Sequence, residues 1–200
     1  APPLRPGLID RYLIAIERGG AAAAICVNKI DLLDGDDEPA VLTQYRALGL
    51  PVVLCSAATG EGLDALLDVT AGKLCVLVGH SGVGKSSLLN TLDPELALAT
   101  GAVSEATRKG RHTTSSSALY ELANGARIID TPGIREFGLW QQSREELRAY
   151  FHEFDAHAPG CRFTDCRHTE EPDCAVKLAV EAGAIPAERY QAYRRVLDSL

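Results

Sequence analysis

The sequence lacks a long apolar run, and this absence excludes one large class of proteins. No stretch of the 200 residues approaches the roughly 20 apolar residues that a helix needs to cross a bilayer. The first residues show no basic segment followed by an apolar segment and small residues, which is the pattern of a secretory signal. Long internal repeats and low-complexity segments are missing as well. The sequence therefore predicts a cytoplasmic protein without membrane partners.

Positive charge is also scarce. The chain has 20 Lys and Arg against 27 Asp and Glu, which gives a net charge of −7. This balance argues against a broad nucleic-acid surface, because phosphate binding needs basic side chains. One local basic segment is present, Arg108-Lys109-Gly110-Arg111-His112. The hydrophobic content of 46% is ordinary for a globular chain, and a chain of this size can bury about 70% of its unfolded surface.

A glycine-rich segment in the middle of the chain carries the strongest chemical signal. The apolar run 74–78 leads into Gly79-x-x-x-x-Gly84-Lys85-Ser86, and a helical pattern follows. This arrangement predicts a phosphate-binding loop (P-loop), where glycines let backbone N–H groups converge on phosphate oxygens at the positive end of a helix. Lys85 is expected to reach the β- and γ-phosphates, and Ser86 to bind Mg²⁺. The predicted nucleotide-binding residues are Gly79, His80, Ser81, Gly82, Val83, Gly84, Lys85, Ser86 and Ser87. The alternative is a glycine turn with an incidental lysine.

The segments around this loop predict an α/β fold. Short apolar runs alternate with helical patterns, which indicates a mostly parallel sheet with helices on both faces, as in the P-loop NTPase fold. The predicted strands are 21–27, 51–54 and 73–78, and the predicted helices are 8–18, 39–48 and 62–69. A hairpin with a turn at Asn124-Gly125 is expected to join strands 118–122 and 127–129.

The chain changes character near Ser143, where strand patterns end. Helices are expected at 145–154, 177–181 and 188–200, around an irregular segment that is rich in cysteine. We therefore predict a nucleotide-binding domain over residues 1–142 and a small α-rich subdomain over residues 143–200.

A polar segment after the first predicted strand indicates which base is bound. Asn28-Lys29-Ile30-Asp31 stands at the carboxyl end of that strand, where ligands bind in α/β folds. The Asp31 carboxylate can accept two hydrogen bonds from the ring N–H and amino group of guanine, a pair of donors that adenine does not offer. Asn28 is expected to brace the loop, and the Lys29 stem to cover the base. Ser56-Ala57, after the next strand, are expected to present a backbone N–H to the guanine oxygen. A polar exit from a strand is the alternative.

A third segment, Asp130-Thr131-Pro132-Gly133, completes the predicted nucleotide site. Asp130 is expected to hold Mg²⁺ through water, and the Gly133 N–H to contact the γ-phosphate. Either Thr113 or Thr114 is expected to be a second Mg²⁺ ligand beside Ser86; the sequence does not choose between them, and Thr114 is assigned this role.

The sequence also lacks the glutamine that many GTPases place just after this segment to orient the attacking water. Ile134 stands there and has no hydrogen-bonding group. His112 is the best alternative, because histidine exchanges protons near neutral pH and His112 is adjacent to the two threonines. His112, Lys85 and Thr114 therefore form the predicted catalytic set, with low intrinsic turnover that a large partner stimulates. An exposed histidine without a catalytic role is the alternative.

The cysteines fall into two groups. Cys26, Cys55 and Cys75 lie singly in apolar runs and are expected to be buried free thiols. Cys161, Cys166, His168 and Cys174 supply three thiolates and one imidazole in a short segment, which predicts a closed, structural Zn²⁺ site. Because this segment has few apolar residues, the metal is expected to supply much of its folding free energy. Disulfide pairing is the alternative.

The order of these motifs resembles that of a circularly permuted GTPase, because Asn28–Asp31 precedes the P-loop and Asp130–Gly133 comes last. More closely, the chain resembles the ribosome small-subunit-dependent GTPase A family of bacteria. The resemblance rests on Asp31 with the preceding Asn28-Lys29, the P-loop segment 79–90, Gly110-Arg111-His112-Thr113-Thr114, the segment 130–140 and the cysteine cluster. It implies a GTPase that acts in late maturation of the small (30S) ribosomal subunit, contacts ribosomal RNA, and uses His112 in hydrolysis.

Two features depart from that family. Its N-terminal five-stranded oligonucleotide-binding barrel has no counterpart in this sequence, and its strand before the first helix is also missing. We therefore expect the chain to be a fragment, acting as a monomer with GTP or GDP. A GTP-dependent metal chaperone or regulatory switch is the alternative function, and an ATP-using kinase is disfavoured by Asp31.

Overall fold

The computed structural model describes residues 4–33, 39–96, 118–130 and 144–200. Its α-helices are α1 (Pro6–Arg18), α2 (Leu42–Ala47), α3 (Leu63–Thr70), α4 (Lys85–Leu92), α5 (Arg144–Leu147), α6 (Ala175–Glu181) and α7 (Ala187–Leu197). Its strands are β1 (Ile25–Val27), β2 (Val52–Leu54), β3 (Leu74–Val76), β4 (Ala118–Glu121) and β5 (Arg127–Asp130). Short 3₁₀ turns cover Ile30–Leu32, Pro94–Leu96, Arg148–Tyr150, His152–Phe154 and Ala158–Gly160. No helix in these described ranges is long and apolar enough to cross a membrane.

Parallel pairing dominates the described strands. β1 pairs with β2 in parallel, with Cys26 opposite Val53, and β3 pairs with β5 in parallel. β4 pairs antiparallel with β5, so the hairpin prediction is confirmed. The turn between β4 and β5 has Gly125 at φ 76°, a left-handed conformation that glycine adopts without a steric penalty. The predicted mixture of parallel strands and helices is therefore present.

The described elements divide into two compact units. The first contains all five strands with α3 and α4, and the second contains α1, α2 and α5 to α7. The chain therefore leaves the second unit after α1, enters it again for α2, and enters it once more for the C-terminal helices. This grouping is not continuous along the sequence, whereas the predicted division into residues 1–142 and 143–200 is. As a division by function, that boundary stays a prediction.

In the first unit, helix α4 connects two hydrophobic clusters. Its Leu88 packs in a cluster with Val53 and Cys55 from the end of β2, whereas the adjacent Leu89 packs with Ile128 of β5. Burying a leucine side chain fully contributes about 1.5–3 kcal/mol. Because α4 begins directly after the P-loop, these contacts hold the loop against strands that carry other predicted nucleotide-binding segments.

The second unit has an aromatic core. Phe151, Phe154 and Tyr193 are buried, with ring centroids 5.1–5.7 Å apart. The predicted helix 145–154 is wrong in its second half, because α5 passes into separate 3₁₀ turns. At Phe151, φ −119° and ψ 69° lie outside the helical region, and its ring packs against the other two. Tertiary packing of these rings therefore overrides the local helical pattern.

A buried ionic network joins distant segments of the second unit. Asp10 of α1 accepts hydrogen bonds from Tyr45 Oη of α2 (3.0 Å) and from Arg195 Nη2 of α7 (3.1 Å). Arg189, also on α7, lies 3.9 Å from Asp10 and donates to Glu153 (2.5 Å). The Asp10 side chain is 1% exposed and that of Arg189 is 7% exposed, so each charge needs its partner.

Candidate functional site

The P-loop connects β3 to α4, as the sequence predicts. Gly82 and Gly84 have φ values of 84° and 95°, a region that other residues rarely adopt. At Gly84 a second constraint applies, because a Cβ atom would overlap Nδ2 of Asn28. Glycine at this position therefore allows both the turn into α4 and the close approach of the predicted guanine-binding segment.

Lys85, the first residue of α4, points back into the loop. Its Nζ donates to the carbonyl oxygens of Gly79 (2.6 Å) and His80 (3.3 Å). The ammonium group therefore lies inside the loop that is predicted to hold phosphate. His80 Nδ1 lies 2.8 Å from the Ser81 carbonyl oxygen, and Ser86 and Ser87 occupy the first turn of α4.

Asn28 connects three predicted nucleotide-binding segments. Its Nδ2 donates to the carbonyl oxygen of Val83 in the P-loop (2.9 Å), and its Oδ1 accepts from the backbone N–H of Ala57 (3.0 Å). Lys29 adds a further bond across the loop, since its Nζ donates to the Gly82 carbonyl oxygen (2.7 Å). These segments are separated by about 30 to 55 residues in sequence, and the structure brings them together.

Asp31 belongs to the same segment as Asn28, and the Ser56 side chain orients its carboxylate. Ser56 Oγ donates to Asp31 Oδ1 (2.5 Å) and accepts from the backbone N–H groups of Ala58 and Thr59 (3.2 Å each). Ser56 is completely buried, whereas Asp31 is exposed. The carboxylate is thus held from one side and open on the other, as a group that accepts hydrogen bonds from a base must be.

The contacts of Ala57 differ from the expected ones. A backbone N–H of Ser56-Ala57 is expected to meet a guanine oxygen, and in the structure the N–H of Ala57 donates to Asn28 Oδ1. The expected contact of Ala57 with the base stays a prediction. Sequence reasoning also missed Thr91 of α4, whose hydroxyl lies 3.1 Å from the Ala57 carbonyl oxygen and 2.9 Å from that of Ser87. The only sequence signal for it is a hydroxyl one helical turn after Ser87.

Several predicted site residues cannot be located in the described ranges. Asp130 ends β5, so its backbone is placed beside Ala118, but its side chain is outside the description. Five further residues lie outside the described ranges. They are the predicted Mg²⁺ ligands, the predicted γ-phosphate contact, the histidine predicted to orient water, and the residue at the usual glutamine position: Thr113, Thr114, Gly133, His112 and Ile134.

The predicted metal ligands converge in the second unit. The ligand atoms of Cys161, Cys166, His168 and Cys174 all lie within 4.8 Å of one another. His168 Nδ1 is 3.4 Å from Cys174 Sγ and 3.6 Å from Cys161 Sγ, and these two sulfurs are 3.9 Å apart. A tetrahedral Zn²⁺ with bonds of about 2.3 Å to sulfur and about 2.0 Å to nitrogen requires separations of roughly 3.5–3.8 Å. The donor set therefore fits zinc, and the separations among Cys161, His168 and Cys174 are close to those that a tetrahedral site requires.

The alternative of disulfide pairing does not match the geometry. All six cysteines, every one of which lies in the described ranges, are free. Burial raises the pKa of the Cys161 thiol, but backbone N–H groups of Val176 and Ala175 outweigh it and the pKa is lowered. Burial also lowers the pKa of His168, which favours the neutral imidazole that a metal requires.

Comparison with known proteins identifies the family. A family model for RsgA GTPases matches residues 1–140. The chain belongs to the RsgA GTPase family. It is 46% identical over 201 residues to the small ribosomal subunit biogenesis GTPase RsgA of Chromohalobacter salexigens, covering all of this chain and 59% of that protein. The corresponding protein of Gemmatimonas aurantiaca is also 46% identical, with 65% of its length covered. The chain thus spans about three fifths of these relatives.

Solved structures show the same fold. YjeQ from Thermotoga maritima matches the whole chain with a TM-score of 0.76 and 34% identity, and 67% of that structure is covered. YloQ, a circularly permuted GTPase, matches 99% of the chain with a TM-score of 0.73 and 31% identity, over 63% of its own length. The predicted family and the permuted P-loop GTPase fold are therefore confirmed.

Proposed function

We propose that this chain binds and hydrolyses GTP and acts in late maturation of the small (30S) ribosomal subunit. The observation that carries the proposal is the bridge that Asn28 makes between the P-loop and the segment at Ala57. It brings a phosphate cradle and the predicted guanine-binding residues into one site. The RsgA relatives are named small ribosomal subunit biogenesis GTPases, and this supports the biological role.

Each part of the site has a role in this proposal. Asp31, held by Ser56, accepts hydrogen bonds from guanine, and Lys85 neutralises phosphate charge. Ser86, Thr114 and Asp130 would hold Mg²⁺, which neutralises charge on the β- and γ-phosphate oxygens. Water attacks the γ-phosphorus, the bond to the β–γ bridging oxygen breaks, and GDP and phosphate leave. His112 orients that water, because Ile134 has no group that can.

The test of the biological role is GTP turnover with and without purified small subunits. We expect slow turnover alone and a rise of at least tenfold with small subunits, but not with large subunits. Lys85→Ala is the control for contaminating hydrolases. Equal turnover with either subunit or with none contradicts the assignment.

Ribosome assembly would place the protein in the cytoplasm, where it would act as a monomer. Ribosomal RNA would contact the basic segment 108–112.

Two substitutions test the assigned chemistry. Asp31→Asn replaces a paired acceptor by a group that also donates, so preference should move from guanine toward xanthine nucleotides. Retained preference for GTP in fluorescent-nucleotide titrations would overturn the base assignment.

His112→Ala should lower both basal and subunit-stimulated turnover while nucleotide affinity is kept. Intact turnover in that variant removes His112 from the mechanism.

We further propose that Cys161, Cys166, His168 and Cys174 hold one structural Zn²⁺ per chain. The burial of His168, Cys166 and Cys174 supports a retained metal rather than the alternative of a delivered one. Elemental analysis of protein purified under reducing conditions should find one zinc per chain. Absence of zinc contradicts the site, and rapid exchange with a weak chelator favours metal delivery.

A further inference from the structure

The histidine of the metal cluster has an unusual backbone conformation. His168 has a φ of 58°, in the left-handed region that residues with a side chain rarely adopt. This conformation turns the ring so that Nδ1 faces the sulfurs of Cys161 and Cys174. Something in the surrounding structure must hold the main chain at this position.

Glu171 holds the residues on both sides of His168. One carboxylate oxygen of Glu171 accepts the backbone N–H of Arg167 (2.8 Å). The other accepts the backbone N–H (2.8 Å) and the hydroxyl (3.3 Å) of Thr169. Burial raises the pKa of this carboxyl group, but the backbone N–H donors outweigh it and hold the pKa at about 2. The ionised carboxylate of Glu171 therefore binds the main chain on both sides of His168.

The carbonyl groups of the same three residues are also bound. Tyr193 Oη donates to the Arg167 carbonyl oxygen (2.7 Å), and Tyr190 Oη donates to that of His168 (2.7 Å). Lys177 Nζ donates to the carbonyl oxygen of Thr169 (3.0 Å). Side chains from α6, α7 and the preceding turn therefore form a cradle around residues 167–169.

The imidazole ring itself has no comparable support. In most protein metal sites the second ring nitrogen of a ligating histidine donates to a carboxylate or a carbonyl group, which fixes the ring. Among the described residues, Nε2 of His168 is buried without a hydrogen-bond partner. Its ring instead packs edge-to-face on Phe154, with centroids 5.6 Å apart. The position of Nδ1 is consequently set by the main chain and by packing.

We propose that Glu171 is the positioning residue of this metal centre and replaces, through the backbone, the support that a ring hydrogen bond usually provides. The inference rests on the proposed zinc site. It follows that substitution of Glu171 weakens zinc binding although this residue does not touch the metal. Outer partners of metal ligands typically change metal affinity by roughly 10- to 100-fold, and we expect an effect in this range.

The test compares E171Q with E170Q in the full chain. Glutamine keeps the size of Glu171 but turns an amide donor toward one of the two backbone N–H groups. Glu170 is the adjacent carboxylate, and its side chain is 89% exposed, which makes it a matched control. Zinc affinity is measured by competition with a chromophoric chelator under reducing conditions, and Co²⁺ spectra report the tetrahedral geometry. We expect at least tenfold weaker zinc binding and altered Co²⁺ bands in E171Q only.

Y190F provides a second, independent variant. It removes one bond to the His168 carbonyl oxygen and should weaken zinc binding in the same direction, so the proposal remains testable if E171Q does not fold. If either soluble variant binds zinc with wild-type affinity, the proposed role of the cradle is wrong, although the zinc site itself stands. If the wild-type chain binds no zinc, both the zinc site and this inference are overturned.

Discussion

Removal of the Ser56 hydroxyl tests how the predicted guanine site is built. Ser56→Ala deletes the donor to the Asp31 carboxylate and the acceptor for two backbone N–H groups, those of Ala58 and Thr59. Hydrogen bonds to a charged group contribute about 1.5–3 kcal/mol. Because Asp31 is exposed, its carboxylate would turn toward water and would have to be ordered again when a nucleotide binds.

The expected effect follows from these contacts. We expect most of this energy to be lost from the nucleotide complex and little from the free protein. The dissociation constant for GDP then rises about 10- to 100-fold, since each factor of ten corresponds to about 1.4 kcal/mol. Titration with a fluorescent GDP analogue measures it directly. Thr59→Ala is the matched control, because its hydroxyl lies in the same turn and accepts from the Glu61 N–H at 3.4 Å instead of holding Asp31. An affinity for Ser56→Ala within threefold of the wild-type value would refute the reasoning.

Three further predictions concern the second unit. Asp10→Ala takes the carboxylate acceptor from the buried Tyr45 hydroxyl and leaves Arg189 with Glu153 alone, and it should lower the free energy of unfolding by about 1–3 kcal/mol in urea titrations; a loss clearly below about 1 kcal/mol contradicts it. The hydrogen bond that His152 Nε2 donates to the Glu17 carboxylate raises the pKa of His152 above 6.5, so this pair stabilises fully below that pH and less as pH rises through the raised pKa. His152→Gln should therefore flatten the fall in melting temperature above about pH 6.5, by an amount that corresponds to less than about 1 kcal/mol because the pair is exposed. Cys174→Ser removes a buried thiolate and should reduce bound zinc from one per chain to near zero by elemental analysis; stoichiometric zinc would count against the site.

The expected contribution of the metal to folding stays a prediction, and the structure adds hydrophobic packing beside it. The cysteine segment has few apolar residues of its own, and the sequence therefore assigned much of its folding free energy to the metal. In the structure, Cys166 and Cys174 belong to a buried cluster with Phe154, Val176 and Tyr193. Hydrophobic packing by helices before and after the segment therefore shares that role.

Local patterns were sufficient to predict the chemistry of the chain. The P-loop glycines, Asn28 with Asp31, and the three cysteines with His168 each carry their meaning in residue type and spacing, because phosphate, guanine and zinc demand particular donors and acceptors. Their order along the chain was enough to predict the permuted GTPase family. No pairing between distant segments is needed for these conclusions.

Tertiary structure alone decided the remainder, because it depends on contacts between residues far apart in sequence. Only the folded chain shows that Ser56 holds Asp31, that the Ala57 N–H meets Asn28, and that α1 and α2 pack with the C-terminal helices. The same holds for Glu171, whose two carboxylate oxygens accept from backbone N–H groups on both sides of His168, a predicted metal ligand. The residue type determines which hydrogen bonds a side chain can make, and the fold determines which partners lie within reach.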